Sequence, residues 1–311
     1  MVRKIPADRD TIRRRRATLA VAVAVVIVLV VALLDRGGSH TRSSSAVAAS
    51  RPRTGARSGA SARHLAADAR AAESQDGSRE SAEVRRLIAL GKPIYCAGHR
   101  GDEVALTFDD GPGPYTRLVL DKLRKHHVAA TFFIVGRNIG LVPGATRRER
   151  AIGAVGDHTF THPLLTALAP GEAEAEIVRT QRLLERSSGG PVFLFRPPYG
   201  GRDATIDAIA RAHGLLEIMW TVDSADSLGA DYAQIERTVI AGLRPGAIIL
   251  MHENHGQTVR ALLSIFAALA RKHLRAVSVP TLLTDDPPST RDVLGGGRSC
   301  DIAPGAALAG G

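Results

Sequence analysis

The sequence is poor in cysteine: Cys96 and Cys300 are the only two in 311 residues, and they lack CxxC spacing. That excludes a disulfide-stapled miniprotein. The folded part also lacks net charge. Residues 1–80 hold 15 Lys+Arg against 7 Asp+Glu, whereas residues 81–311 hold 26 against 24, so the overall charge of +10 is largely N-terminal. A domain built to bind nucleic acid would concentrate Lys and Arg on its folded surface, and this one does not. No internal repeat stands out. The length suffices for one domain of roughly 200–250 residues plus extensions.

Ala17–Leu34 is an 18-residue run without a charge or a proline. As a helix it would span ~27 Å, close to the thickness of a bilayer's hydrocarbon core. Arg13–Arg16 precede it directly. By the positive-inside rule, residues 1–16 are expected in the cytoplasm, 17–34 as a transmembrane signal anchor, and everything after them outside. The rival reading is a cleaved signal peptide, for which Ala46-Val47-Ala48 offers an AxA-like site. The apolar run is longer than usual for one and ends well before that site. Residues 35–80 carry almost no large apolar side chains. They cannot offset their chain entropy by burial and are expected to be a disordered tether. A short helix around Ser81–Leu90, ending at Gly91-Lys92-Pro93, leads into a folded domain spanning 81–311.

From Glu103 onward short apolar runs alternate with amphipathic stretches. EVALTF, AATFFIV, VFLFR, EIMWTVD and AIILMH read as strands. TRLVLDKLRKH, with Leu118, Leu120 and Leu123 on or near one face, reads as a helix. So do EAEAEIVRTQRLLERS, TIDAIARAHG, ADYAQIERTVIAGL and TVRALLSIFAALARKH, and VSVPTLLT closes the series. Such alternation predicts an α/β fold with a parallel sheet and right-handed crossovers, closed or nearly closed into a barrel. In barrels of this kind chemistry sits on loops after the C-terminal strand ends.

Five short motifs fall at those ends. Thr107-Phe108-Asp109-Asp110-Gly111-Pro112 closes the first strand; its adjacent carboxylates must point apart, one toward a metal and the other toward substrate or water. His158-Thr159-Phe160-Thr161-His162-Pro163 spaces two histidines four apart, as on one side of a helical turn. Two imidazoles and a carboxylate, with Asp110 the natural third member, form the three-ligand set of a catalytic zinc site. Phe195-Arg196-Pro197-Pro198-Tyr199-Gly200 is stiffened by two prolines, leaving the Tyr199 N–H as the next donor free to point inward. Trp220-Thr221-Val222-Asp223-Ser224-Ala225-Asp226 places acids after one strand, and Leu250-Met251-His252-Glu253 a histidine after the next. Singly, each is as readily a turn, a cap or a packing group.

Together and in this order, across Val104–Val279, they resemble the NodB-homology polysaccharide deacetylases, carbohydrate esterase family 4. The resemblance implies a distorted (β/α)7 barrel and a divalent metal, usually zinc and sometimes cobalt or another ion. It implies that Asp110, His158 and His162 bind the metal, Asp109 is the general base and Arg196 pairs with it. The Tyr199 N–H would line an oxyanion hole, His252 would be the general acid and Asp226 would orient it. Trp220 and Leu250 would wall the pocket for the acetyl methyl group. The implied activity is N-deacetylation of a glycan, most directly wall peptidoglycan. Chitooligosaccharide or O-acetyl glycan deacetylation, a glycosidase using Asp109, and a non-catalytic glycan-binding module are the alternatives; a monomer is expected.

The chain departs from the family pattern at Ser227, where an aromatic residue is common, at Glu253 for Asp, and at Asp157 for Asn. The stretch between Phe133 and His158 is also somewhat short. Cys96 and Cys300 flank the strand series, which leaves either a disulfide tying its ends or two free thiols. His126, His127 and His255 are expected to be surface residues.

Overall fold

The computed structural model describes residues 82–297 and Cys300. The N-terminus, apolar run and tether expected over 1–80 lie outside the described residues. Among the described residues no helix is long and apolar enough to cross a membrane.

Residues 82–90 form a helix, α1. The elements that follow are β1 (Glu103–Gly111), α2 (Thr116–Lys125), β2 (Thr131–Ile134), α3 (Ala145–Ile152), β3 (Ala154–Asp157), α4 (Pro170–Ser188) and β4 (Leu194–Phe195). Then come α5 (Ala204–Ala212), β5 (Leu216–Glu217), β6 (Val222–Asp223), α6 (Tyr232–Gly242), β7 (Ile248–His252), α7 (Gly256–Arg271), β8 (Arg275–Val277), α8 (Val279–Asp285) and α9 (Thr290–Leu294). The strands are parallel, in the order β5-β4-β3-β2-β1-β7-β6, with β8 beside the start of β1.

The EIMWTVD run, expected as a single strand, is two short ones. Its first half pairs with β4 and its second with β7, so the same extended segment touches both ends of the sheet. The interruption has a physical cause in the segment just before β1. Ile94 donates its N–H to the Glu217 carbonyl at 2.9 Å and accepts from Met219 at 2.8 Å, while Ala97 donates to Gly246 at 2.9 Å. This wedge takes ladder positions that a regular barrel strand would fill. The result is a distorted, parallel half-barrel built from eight short strands.

Alternation along the strands builds two apolar layers. Val104, Leu106, Phe108, Phe132, Ile134, Ile249 and Met251 face the helices. Ala105, Phe133, Leu194, Ile248 and Leu250 face the interior. The same alternation carries interior-facing positions on to Asp109, Arg196 and His252 at the C-terminal ends of β1, β4 and β7.

Helix starts follow the local chemistry. The Asp203 carboxylate caps α5 by accepting from the Thr205 and Ile206 N–H groups, and Asp231 caps α6 by accepting from Gln234. In α2 the buried face is Thr116, Val119, Leu120 and Leu123, and Leu118 points outward at 52 % exposure, against expectation. VSVPTLLT, which closes the series, is mostly helical. Ser278 accepts the Thr281 N–H and Pro280 occupies the first turn, so the segment after Val277 is the helix α8. Helix α3 and strand β3 had no counterpart in the sequence reading. Ala-Val-Gly-Asp is too short and too mixed to announce a strand.

Cys96 and Cys300 are disulfide-bonded, with Cα atoms 5.7 Å apart.

Candidate active site

Five loops at the C-terminal end of the barrel bring the motif residues together. Arg196, wholly buried, is the centre of one cluster. Its Nη1 donates to Asp109 Oδ1 at 2.7 Å and to Thr107 Oγ1 at 2.8 Å. Its Nε and Nη2 donate to the carbonyls of Ile218 and Met219 at 2.9 and 3.1 Å. The guanidinium lies over the Phe133 ring at 4.1 Å and near Trp220 at 5.6 Å. Burial lowers its pKa and the charge of Asp109 opposes the shift. An Arg with nearly all its donors used in a dry site fixes the Asp109 carboxylate in one orientation.

Asp110, His158 and His162 form the second cluster, each offering a ligand atom within 4.8 Å of the others. His162 Nε2 lies 3.2 Å from Asp110 Oδ1, and His158 Nε2 lies 3.7 Å from it and 3.6 Å from Asp109 Oδ2. His158 Nδ1 sits 2.6 Å from the Arg196 carbonyl. Only a protonated nitrogen can donate there, so Nε2 is left with its lone pair toward Asp110. Burial holds the His158 pKa below the ordinary imidazole range, which favours the neutral, ligating form. Burial would raise the Asp110 carboxyl, but the nearby imidazoles of His162, His158 and His252 outweigh it and hold it low. Asp110 Oδ1 is buried without a hydrogen-bond partner. An orphaned carboxylate oxygen facing two imidazole nitrogens is a donor set suited to a divalent ion such as zinc.

The histidine pair is not on a helical turn. Residues 158–162 form a loop after β3, with Thr159 at φ 63° and His162 at φ 65°. Those two left-handed residues fold the loop back and set the imidazole centroids 4.9 Å apart, doing by backbone reversal what helical periodicity was expected to do.

His252 and Asp226 form the third cluster. His252 Nδ1 lies 2.7 Å from Asp226 Oδ1, and the His252 N–H donates to Oδ2 at 2.7 Å. Thr258 Oγ1 donates to Oδ2 at 2.5 Å and the Ser227 N–H to Oδ1 at 2.8 Å. Burial works to lower the imidazole pKa, but Asp226, with help from Asp109 and Asp110, prevails and raises it to about 9. His255, expected at the surface, is half-buried with its ring 5.8 Å from that of His252.

Tyr199 takes φ 61° after the double proline, 59 % exposed on the rim and with its hydroxyl 3.2 Å from His162 Nδ1. Leu250 and Trp220 are nearly buried within the barrel interior, Leu250 on the same face of β7 as His252. All the expected site residues thus converge on one end of the barrel. Thr107 and Thr258, which complete the hydrogen bonding of Arg196 and Asp226, were not foreseen. Thr107 lies inside the first motif without a role of its own there, and Thr258 reaches Asp226 from 32 positions away.

The polysaccharide deacetylase family model matches residues 97–218. The chain is 36 % identical over 186 residues to a peptidoglycan-N-acetylglucosamine deacetylase of Bacillus cereus, spanning 58 % of this chain and 68 % of that one. It is 36 % identical over 198 residues to a chitooligosaccharide deacetylase of Bradyrhizobium sp., spanning 58 % of this chain and 90 % of the relative. The chain belongs to the polysaccharide deacetylase family. A solved family 4 carbohydrate esterase from Streptomyces lividans, in complex with acetate, shares 37 % identity at a TM-score of 0.54, over 58 % of this chain and 92 % of that one. This chain is therefore a polysaccharide deacetylase of carbohydrate esterase family 4, a hydrolase.

The departures acquire a structural account in the deacetylase. Glu253 is fully buried and reaches behind β1, where any Cβ at Gly111 would collide with its Oε1. Burial pushes its pKa up to about 8 and that of neighbouring Glu149 well above the ordinary range. The pair therefore keeps at least one proton at neutral pH. Asp157 is also fully buried, accepts the Thr159 N–H at 2.7 Å and is pushed up by that burial. Ser227 is exposed, which leaves that side of the groove open.

Proposed function

We propose that this deacetylase removes the acetyl group from N-acetylglucosamine in peptidoglycan by metal-supported hydrolysis, on the outer side of a membrane to which its N-terminus anchors it. The observation that carries the reading is the pairing of two complementary sets at one barrel end: a His-His-Asp ligand set, and a base and an acid held apart by Arg196 and Asp226.

Asp110, His158 and His162 would hold a divalent ion, most suitably zinc, with cobalt a substitute. When bound, it supplies Lewis-acid polarisation of the acetamide carbonyl and a lowered pKa for water. Asp109 takes the proton from the attacking water, and Arg196 keeps that carboxylate ionised and aimed. The Tyr199 N–H donates to the developing oxyanion, a contribution of roughly 3–4 kcal/mol for a well-placed donor. His252, charged through Asp226, delivers its proton to the leaving amine, giving acetate and a free glucosamine-type amine. Trp220 and Leu250 surround the methyl group. A glycosidase has no use for the histidine pair, which favours the deacetylase reading.

Acetate release from purified peptidoglycan, chitooligosaccharide and acetylxylan, before and after chelation and zinc return, tests the reading. Loss on chelation and recovery with zinc, on peptidoglycan first, is expected. Full activity in metal-free protein would sink the metal, and acetate from acetylxylan alone would sink the substrate.

Membrane placement rests on Arg13–Arg16 before Ala17–Leu34, and the Cys96–Cys300 disulfide agrees with an oxidising compartment. Protease added to intact cells is expected to digest the domain; complete protection would contradict the placement.

A further inference from the structure

The turn that carries the two histidines is gripped from both sides by groups outside the five motifs. On one side, the N–H groups of Gly136 and Arg137 donate to the Thr159 and Phe160 carbonyls at 2.9 and 3.0 Å. On the other, a single carboxylate from the middle of α4 takes three of the turn's donors. Glu176 Oε2 accepts the N–H groups of Phe160 at 2.9 Å and Thr161 at 2.6 Å, and its Oε1 accepts the Thr161 hydroxyl at 3.0 Å. One helical turn further on, the Arg179 guanidinium lies over the Phe160 ring at 3.4 Å. Gly136 has no room for a side chain, because a Cβ there would meet Thr180 Oγ1 and the Phe160 ring.

These contacts bear on a turn that would not hold its shape unaided. Thr159 and His162 occupy left-handed backbone conformations without being glycine, each of which costs energy and persists only where the surroundings impose it. If the turn relaxes, the two imidazoles separate and the set of ligand atoms around Asp110 opens.

We propose that Glu176 is a positioning residue for the metal site: its carboxylate holds the 159–162 turn in the conformation that lets His158 and His162 reach one ion together with Asp110. The proposal rests on the metal reading above. Its action is geometric, since Glu176 accepts from backbone N–H and hydroxyl groups and not from an imidazole. A glutamine could replace it almost fully. Its amide oxygen accepts both N–H groups, and its Nε2 donates to the Thr161 hydroxyl, reversing one bond and losing none.

The test measures zinc(II) affinity of the full-length protein by competition with a chromophoric chelator, alongside the melting temperature of the metal-free form. Outer partners of this kind typically contribute about 10- to 100-fold in metal affinity. Glu176→Ala should weaken zinc binding by about that factor, and Glu176→Gln should restore it close to wild type. Thr161→Val, which removes only the hydroxyl bond, should weaken it by about 2- to 10-fold. Alanine binding zinc as tightly as wild type would overturn the proposal, as would a glutamine variant as weak as the alanine one. Should Glu176→Ala fail to fold, Thr161→Val with unchanged affinity would overturn it instead. A wild-type protein that takes up no zinc would refute the metal reading and this proposal together, whereas equal affinities in wild type and variants refute this proposal alone.

Discussion

Asp226 holds His252 at two points, one oxygen on the ring Nδ1 and the other on the backbone N–H, both at 2.7 Å. The ring can neither rotate nor shift along β7 without breaking a bond to the same carboxylate. Its protonation and its direction thus have one common cause.

That arrangement is expected to set the alkaline limit of activity. His252 must carry a proton to donate, and Asp226 raises its pKa to about 9. A raised imidazole pKa also stabilises the fold fully below the unfolded value of ~6.5, an advantage lost as pH rises through about 9. Asp226→Asn is expected to move the alkaline limb of kcat/KM to lower pH. A pH–rate profile checks this; a limb at the same pH in both proteins would show that another group sets it.

Asp109 is expected to act on the proton and not on the ion. Asp109→Asn should lower kcat by ~10²–10⁴-fold, the usual contribution of a positioned base, while bound zinc measured by metal analysis stays near wild type. His252→Ala should give a comparable loss, and the double variant less than the product of the two, since both serve one reaction. Near-normal turnover in either single variant would reassign the chemistry.

The Glu149–Glu253 pair is expected to make stability depend on pH. Glutamate in the unfolded chain ionises near ~4.3, whereas buried Glu253 titrates at about 8. Between those values the folded state binds more protons than the unfolded one, so stability falls as pH rises. Glu253→Gln removes that proton. Melting temperatures of metal-free protein should therefore diverge from pH 5 to pH 8, with the variant gaining on the wild type. Parallel curves would mean that the pair is already ionised.

The parts of the site that were legible in the sequence are those where chemistry is carried by neighbours in the chain. Asp109 and Asp110 close one strand, and Arg196 and Tyr199 follow another, so each motif names both residue and place. What could not be read came from long-range geometry. The 158–162 turn has helical spacing but left-handed residues that only a folded environment can impose. Glu176, Thr258 and Glu149 reach the site from helices whose sequence pattern reflects packing, and nothing local marks them. The fold behaved likewise. Long amphipathic helices were evident, but the division of EIMWTVD depended on Ile94, more than a hundred residues away, taking its ladder positions.

The link between Cys96 and Cys300 has a mechanical meaning. The two sulfurs are 204 positions apart in sequence and joined by one bond. Tension applied to the ends of the chain passes through that bond and bypasses the barrel strands. In a single-molecule pulling experiment the oxidised protein would withhold the intervening chain, about 700 Å of contour length at full extension. That length would be released only after reduction. Force applied at the two ends of the chain would thus leave the catalytic barrel out of its path.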